Sequence, residues 1–391
     1  MYSFLLVLIY TAFVSLGLPD SLLGAGWPVI HGELHVPMSY MGIVSMVISC
    51  GTIVSSLLSD TVTKKTGTGV VTVTSVFLTA TALLGFSFAK RFWQLIILAI
   101  PYGLGAGAID AALNNYVAVH YTSKHMSWLH CFWGVGAIIS PFIMSHALTV
   151  ANWHSGYFFV GVIQIGIGIL LLCTLPVWKA NKKTFTTSTQ QKSLRLSDVL
   201  KIRGVTCIML GFFAYCAAEA TAMNWASSYL VEARGVGHET AAAFASLFYI
   251  GITVGRFFGG FITDKLGDRK MILTGTCILI CGIALLMIPV RTNTLSLMGF
   301  VIIGLGCAPI YPCIIHSTPR NFGAENSGAI IGIQMASAYV GVTFIPPLFG
   351  FLSKKAGFDI LPVYLLIFFI LMVVLVERTF RLTATERGTL K

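Results

Sequence analysis

The sequence predicts an all-α polytopic membrane protein, with twelve transmembrane helices in two pseudo-symmetric six-helix bundles. Composition is the first reason: 56% of the 391 residues are hydrophobic and only 10% are charged, against about 25% in an ordinary soluble domain. The second reason is a succession of long apolar runs, and the third is a pair of motifs that recurs in the second half of the chain. A soluble fold of this size could not bury so much apolar surface.

Each apolar run is long enough to cross a bilayer as a helix, which takes about 20 residues. The predicted spans are residues 3–24, 38–59, 69–88, 93–119, 128–149, 156–178, 205–230, 240–262, 271–289, 294–316, 327–350 and 359–377. One hydrophilic stretch separates the sixth span from the seventh. The predicted domains are an N-terminal bundle (1–178), a cytoplasmic linker (179–203), a C-terminal bundle (204–378) and a cytoplasmic tail (379–391).

Lysine and arginine are distributed unequally between alternate loops. With the N-terminus inside, the cytoplasmic segments hold 18 of these residues and the external loops hold six. This excess predicts that both termini are cytoplasmic, in a plasma or inner membrane. Topology therefore accounts for the net charge of +11, and with no nucleic-acid-binding motif in the chain we expect no nucleic-acid partner. The first apolar run lacks a charged segment before it, so we expect it to remain as a helix rather than to be cleaved.

Two motifs recur at similar offsets. Asp60, predicted to follow the second span, is matched by Asp264 after the eighth, 204 residues later. Gly103-Leu-Gly-Ala in the fourth span is matched by Gly304-Leu-Gly-Cys in the tenth, 201 residues later. The recurrence predicts a duplicated six-helix unit, and such repeats place a solute site near the bilayer midplane.

Three acidic residues lie in the interior of predicted spans: Asp20, Asp110 and Glu219. A carboxylate at bilayer depth is costly, so it usually faces a bundle interior or a watery cavity and marks a solute or proton path. Glu219 is the first candidate for proton coupling, because its carboxyl group can bind and release a proton as its exposure changes. A paired structural acid is the alternative. The other candidates for proton coupling are Asp110, in the fourth span, and Asp20, late in the first span.

Polar residues near these acids are candidate solute ligands. Asp110 and Asn114 are four residues apart and share one helix face, while Asn115 points elsewhere. His130 and Trp133 combine a titratable imidazole with an indole that can stack on a sugar ring. For both pairs, a buried structural contact between helices is the alternative.

Three residues of the second half are weaker candidates for the same site. Tyr311 falls opposite Asp110 at the 201-residue offset, and His316 and Gln334 can supply further contacts. Because Tyr311 lies between Pro309 and Pro312, it also marks a place where the helix can break.

The motifs of common soluble enzymes are missing from the sequence. No Gly-x4-Gly-Lys-Ser/Thr loop is present to hold ATP phosphates, and no Gly-x-Ser-x-Gly or His-Glu-x-x-His motif occurs. The nine cysteines lie within apolar runs without metal-ligand spacing. We therefore expect no enzymatic activity, no metal site and no cofactor, with a proton gradient as the driving force.

The run from Gly255 to Lys270 resembles the loop signature of the major facilitator superfamily, and with twelve helices and a central linker the resemblance covers essentially the whole chain. It implies the major facilitator fold and a conformational gate, although a static loop is the alternative. The implied gating residues are Asp60, Gly255, Arg256, Gly260, Asp264, Lys265, Gly267 and Arg269.

Within that superfamily the chain resembles the fucose permease-like branch, which includes sugar–proton symporters. The matching segments are Gly103–Asp110, Trp128–Ala137 and Gly251–Arg256. This resemblance implies paired membrane acids, which Asp20 and Asp110 can mimic, and a sugar site. The implied sugar ligands add Asn224, Trp225 and Tyr229 to those named above; for Trp225 an anchor at the membrane interface is the alternative.

The function predicted from the sequence is secondary active transport by alternating access, coupled to protons. The expected partners are a small polar solute (in the first place a monosaccharide), the proton and the lipid bilayer, and a monomer suffices. A proton-antiport exporter of drugs or metabolites is the main alternative. A membrane sensor with a transporter-like fold is the other, since fold alone does not fix function.

Overall fold

The computed structural model describes residues 2–178, 196–288 and 293–389, and within them all regular secondary structure is helical. The main helices are α1 (Tyr2–Asp20), α2 (Leu22–Glu33), α3 (Met41–Thr66), α4 (Thr68–Phe86), α5 (Phe92–His120), α6 (Ser123–Val150), α7 (Trp153–Cys173), α8 (Val205–Glu232), α9 (His238–Leu266), α10 (Asp268–Met287), α11 (Thr294–Cys307), α12 (Ile310–Phe322), α13 (Ala324–Ala356) and α14 (Leu361–Thr389). Helices suit a bilayer because each satisfies its own backbone hydrogen bonds.

Eleven helical stretches of the described residues are long and apolar enough to cross a membrane. The remaining predicted span, 240–262, lies in the 29-residue helix α9. Large apolar side chains such as Phe142 and Phe88 are about 70% exposed, as expected of surfaces that face lipid rather than water. The predicted all-α, multi-pass membrane fold is thereby confirmed.

The first span is longer than predicted, and this changes the depth of Asp20. The expected boundaries were 3–24, but helix continues after a break of one residue at Ser21, so the span covers Phe4–Glu33. Pro19 and Pro28 are both accommodated within helices. Asp20 therefore lies near the middle of the span rather than late in it.

The tenth span is broken, at the place that the prolines indicated. Helix α11 ends at Cys307 and α12 begins at Ile310, with Pro309 in the break. Tyr311 is consequently the second residue of α12, close to the break. The equivalent span of the first half, α5, runs without interruption through Pro101 and Asp110.

The chain forms two compact units. As far as they are described, the first contains Met1–Tyr116, Phe132–Leu194 and Ile331–Ala336, and the second contains Val117–Cys131, Arg195–Ile330 and Ser337–Lys391. The end of α5 and the start of α6 thus belong to the second unit. Of the predicted linker, 179–195 lies outside the described residues, and the remainder contains a single helical turn, Leu196–Val199. The predicted domain boundaries therefore remain a prediction.

Equivalent close helix contacts occur within each of the two units, at sequence positions 200 or 201 residues apart. A β-carbon added at Gly103 would overlap the carbonyl oxygen of Ile48, and one at Gly304 would overlap that of Phe248. A β-carbon at Gly105 would lie 2.7 Å from the Ser75 carbonyl oxygen, and one at Gly306 would lie 2.7 Å from that of Gly275. These glycines let the backbones of neighbouring helices approach closely, and they support the predicted internal repeat.

The same offset corrects the proposed match between Asp60 and Asp264. Helices α3 and α9 are followed by Gly67 and Gly267, both with positive φ (93° and 78°). Asp264 lies three residues before its glycine, whereas Asp60 lies seven before, so Lys64 occupies the position equivalent to Asp264. The match was wrong by one helical turn. A shift of four residues keeps a side chain on the same helix face, which is why the sequence did not reveal it.

Candidate functional site

The first unit holds Asp20 between two hydrogen-bond donors from other helices. The indole Nε1 of Trp133, on α6, donates to Asp20 Oδ2 over 2.8 Å. The hydroxyl of Tyr102, on α5, donates to Oδ1 over 3.2 Å. Tyr102 is buried and Trp133 half-buried, while Asp20 is exposed. The carboxylate is thus fixed in orientation and remains accessible.

Two glycines bring α1 and α6 together at this point. A β-carbon at Gly17 would overlap the carbonyl oxygen of Trp133, and one at Gly136 would overlap that of Val14. The absence of side chains allows backbone contact, which places the Trp133 indole within reach of Asp20.

Asp110 and Asn114 form the predicted pair on one face of α5. The Asn114 amide donates to Asp110 Oδ1 over 2.8 Å and to the Asp110 carbonyl oxygen over 3.0 Å. Asp110 is 4% exposed and Asn114 is fully buried, so contact with a solute would require the surrounding helices to move. Gln334 is buried in the same unit, and Asn115 is half-buried.

The second unit contains a buried ion pair between Glu219 on α8 and Arg256 on α9. The guanidinium Nη2 lies 3.4 Å from Glu219 Oε1, and the two side chains are 4% (Arg256) and 13% (Glu219) exposed. The Tyr215 hydroxyl, one turn before Glu219, lies 2.9 Å from the same Oε1. It also lies 2.8 Å from the carbonyl oxygen of Cys307 on α11.

Aromatic rings extend this cluster. The Arg256 guanidinium lies 5.8 Å from the centre of the Tyr311 ring. That ring meets Phe212 edge-on at 4.7 Å and the His130 imidazole at 4.5 Å. Four predicted functional residues, Glu219, Arg256, Tyr311 and His130, are therefore brought together in one unit. Trp133, predicted to act beside His130, instead binds Asp20.

The other predicted ligands on α8 are not part of the cluster. Trp225 Nε1 donates to the Pro346 carbonyl oxygen over 2.8 Å. The Tyr229 hydroxyl donates to the carbonyl oxygen of Leu286 over 3.0 Å, and Asn224 is exposed. Trp225 and Tyr229 thus bind main-chain groups of neighbouring helices, and the predicted binding roles of these residues remain predictions.

Asp264 caps the start of α6 in the second unit. Its carboxylate accepts a hydrogen bond from the Lys124 backbone N–H (3.0 Å) and another from the Thr122 hydroxyl (2.9 Å). A carboxylate at a helix N-terminus is stabilised by the unpaired N–H groups and the helix dipole. Asp60, in contrast, binds Lys64 of its own helix over 2.8 Å.

The remaining signature residues have distinct environments. A β-carbon at Gly260 would lie 2.7 Å from Trp128 Nε1, and one at Gly255 would lie 2.6 Å from the Ala308 β-carbon. Gly267 begins the turn into α10, and Lys265 is exposed. The Arg269 guanidinium binds Glu377 of α14 through two hydrogen bonds, of 2.9 and 2.6 Å.

Sequence reasoning missed three polar partners. Tyr215 precedes Glu219 by four residues, so the spacing rule that paired Asp110 with Asn114 would have found it. Asp268, the partner of His316, lies inside the signature, next to Gly267. Tyr102 is separated from Asp20 by 82 residues, and no local pattern indicates their contact.

Comparison with known proteins identifies the family. The family model described as "Major Facilitator Superfamily" matches residues 9–244 and 207–391. The Saccharomyces cerevisiae "Bypass of stop codon protein 6" is 22% identical over 390 residues, covering 90% of this chain and 77% of that protein. The Bacillus subtilis "Glucose/mannose transporter GlcP" is 26% identical over 239 residues, 59% of each chain.

Solved structures agree on the fold. FucP, the fucose:proton symporter of E. coli, has a TM-score of 0.80 at 17% identity, over 96% of this chain and 98% of FucP. The predicted superfamily is confirmed, since the family model covers nearly the whole chain. This protein is a member of the Major Facilitator Superfamily, and so a membrane transporter rather than an enzyme.

Proposed function

We propose that the protein moves a small polar solute, in the first place a monosaccharide, across the cell membrane by alternating access, with protons coupled through Glu219. In this proposal each chain works as a monomer, both termini are cytoplasmic, and the proton gradient supplies the energy. The observation that carries it is the environment of Glu219, which suits both the charged and the protonated carboxyl group.

The hydrogen-bond geometry around Glu219 supports proton coupling. When the carboxylate is charged, it can accept from the Tyr215 hydroxyl and pair with Arg256 (2.9 and 3.4 Å). When it is protonated, its own O–H can donate to the Tyr215 oxygen, whose single hydrogen then points to the Cys307 carbonyl oxygen 2.8 Å away. Because Tyr215 can act as donor or acceptor, neither state leaves Glu219 without a partner.

The pairing with Arg256 favours a neutral solute. An unpaired buried guanidinium would attract an anion, but here the charge is already balanced by Glu219 at 3.4 Å. The exposed Asp20 and the Trp133 ring offer what a sugar needs, a fixed acceptor for hydroxyl groups and an apolar face for stacking. The names of GlcP and FucP, a glucose/mannose transporter and a fucose:proton symporter, point to the same class of solute.

For the conformational gate, we infer that Asp264 is the principal carboxylate. It binds the start of α6 through Thr122 and Lys124, and alternating access requires such contacts to form in one state and break in the other. Asp60 has its partner within its own helix, so its part in the gate is smaller. Gly255 and Gly260 contribute by allowing close packing of neighbouring helices.

Uptake by proteoliposomes tests this proposal. Labelled glucose, mannose, fucose and xylose are supplied with and without an inward proton gradient, using the wild type, Glu219→Gln and Glu232→Gln. Glutamine imitates the protonated carboxyl group and cannot release a proton, so Glu219→Gln should lose gradient-driven accumulation but keep exchange of solute. Glu232→Gln is the matched control, since Glu232 is exposed at the end of the same helix.

The outcomes separate the competing functions. Accumulation that persists in Glu219→Gln would refute the assignment of the coupling residue. If folded protein takes up none of the sugars under either condition, the monosaccharide is refuted, and the proton-antiport exporter becomes the first hypothesis. A binding response to a sugar with no transport of it would instead favour the sensor.

A further inference from the structure

His316, on α12, lies between two hydrogen-bond acceptors. Its Nδ1 is 2.9 Å from Asp268 Oδ2, and its Nε2 is 3.1 Å from the carbonyl oxygen of Tyr121. The second oxygen of Asp268, Oδ1, accepts a hydrogen bond from the Ser123 hydroxyl over 2.6 Å. All these residues belong to the second unit, and Ser123 and Asp268 are buried. The group lies outside the Glu219 cluster and has no part in the proposed coupling.

Counting hydrogens shows that this arrangement holds one extra proton. A carbonyl oxygen can only accept, so His316 Nε2 must carry a hydrogen. A charged carboxylate can also only accept, so Nδ1 must carry one too. Neutral imidazole has a single N–H, and therefore either the imidazole is charged or Asp268 is protonated.

The surroundings of Asp268 place the proton on His316. Asp268 is the first residue of α10, where the helix dipole and unpaired N–H groups stabilise a negative charge. Its carboxylate also accepts from Ser123. A charged imidazole then forms an ion pair with a charged carboxylate, in which each of the two short contacts has a donor and an acceptor.

The other charged or titratable groups nearby are compatible with a positive charge on His316. Asp264 adds a second carboxylate, which binds Thr122 and the Lys124 backbone N–H, and the Lys124 amine lies 4.3 Å from the Trp128 ring centre. Three other such groups are each held by a different neighbour: the Cys313 thiol lies against Ser123, the His125 ring lies against Tyr121, and the Arg269 guanidinium binds Glu377. Asp264 and Asp268 both lie near enough to His316 to stabilise a positive charge there.

We propose that His316 and Asp268 form a second proton-binding site, which is occupied when the segment Tyr121–Lys124 rests against α9, α10 and α12. The proton joins α10 and α12 to that segment through the Asp268–His316–Tyr121 chain of contacts. When the segment leaves, His316 loses the Tyr121 carbonyl oxygen as an acceptor, and the charged form of the imidazole is less stabilised. The resting position of the segment is therefore linked to uptake of one proton.

The charge on His316 is tested directly by ¹⁵N NMR of the full-length protein in detergent, labelled at histidine and without solute. The His316 signals are identified by their loss in His316→Gln. At pH 7.5 free histidine is about nine-tenths neutral, whereas we expect His316 to show two protonated ring nitrogens. Asp268→Asn should return it to the neutral form. A neutral His316 in the wild type, or a charged one in Asp268→Asn, would overturn the proposal.

The link to the segment is tested by hydrogen exchange of the backbone amides of residues 121–126, corrected for the chemical exchange rate at each pH. One linked proton should weaken protection by about tenfold per pH unit above neutrality, and His316→Gln should abolish that dependence. His125→Gln, a change of the same kind directly after the segment, should retain it. Equal pH dependence in His316→Gln and the wild type would refute the link. Because neither measurement uses a solute or Glu219, each can fail or succeed independently of the proposed sugar transport.

Discussion

Replacing Gly17 by alanine should disturb both the packing of the first unit and its candidate site. The added β-carbon would overlap the Trp133 carbonyl oxygen and would lie 3.0 Å from the Ala137 nitrogen. Both are backbone atoms, which cannot rotate away as the end of a side chain can. The only relief is for α1 and α6 to move apart, by on the order of 1 Å to restore ordinary contact.

The size of the effect follows from two terms. Overpacking costs about 1–3 kcal/mol, and a rigid backbone neighbour places Gly17→Ala at the upper end. A separation of about 1 Å also lengthens the 2.8 Å bond from Trp133 to Asp20 beyond the hydrogen-bonding range, which costs about 1.5–3 kcal/mol for a charged acceptor. The two costs do not add in full, because the separation that breaks the hydrogen bond also relieves the overpacking. Alanine in addition stabilises a helix by about 1 kcal/mol relative to glycine. We therefore expect the free energy of unfolding to fall by about 3 kcal/mol.

Thermal unfolding in detergent, followed by intrinsic fluorescence, measures this loss. For a unit of this size about 3 kcal/mol corresponds to a fall in Tm of about 6–12 °C. The matched control is Gly166→Ala in α7, where an added β-carbon meets nothing within 4 Å and Tm should stay the same or rise. If Gly17→Ala and Gly166→Ala melt together, the close contact between α1 and α6 is refuted. Uptake of solute by Gly17→Ala should also fall, because Asp20 loses its indole donor.

Two further predictions concern the second unit. Arg256→Gln should lower the free energy of unfolding by about 3–5 kcal/mol, because it leaves the largely buried Glu219 carboxylate without its cation partner. Adding Glu219→Gln should restore most of the loss. Thermal unfolding of the wild type, the two single variants and the double variant measures the coupling between the two side chains. Asp264→Ala should cost about 1 kcal/mol at the start of α6, seen as roughly fivefold faster exchange of the Lys124 amide, whereas Lys265→Ala, which changes an exposed neighbour, should not alter that rate.

The helices could be predicted because a membrane helix is specified locally, by about 20 apolar residues in succession. Errors occurred where local signals conflict. The first span was ended too early, at residue 24; the helical stretch continues past Pro19 and Pro28, because a membrane helix tolerates proline when neighbouring helices satisfy the freed groups. At Pro309 the predicted break was correct, since α11 and α12 are separate helices.

The site could be predicted only in part, because sequence identifies costly residues but not their partners. Glu219 was found by its charge in an apolar span, yet its pairing with Arg256, 37 residues away on another helix, depends on how α8 and α9 pack. Arg256 was assigned to the gate because it lies in the signature, and nothing local indicated an ion pair. The contact between His130 and Tyr311 is equally a product of packing.

Each unit contains a carboxylate at mid-span, but the two carboxylates have different hydrogen-bond and charge partners. Asp20 and Glu219 are 199 residues apart, within two residues of the offset between the units, and each has a tyrosine hydroxyl as a partner. The second donor differs: Trp133 is neutral and leaves the charge of an ionised Asp20 uncancelled, while Arg256 cancels the charge of an ionised Glu219. An exposed acceptor with a net charge is suited to bind solute hydroxyl groups. A largely buried carboxylate that Arg256 and Tyr215 satisfy when it is charged, and Tyr215 when it is protonated, is suited to carry that proton. The differences in partners, rather than the acids themselves, therefore assign solute binding to Asp20 and coupling to Glu219 in our proposal.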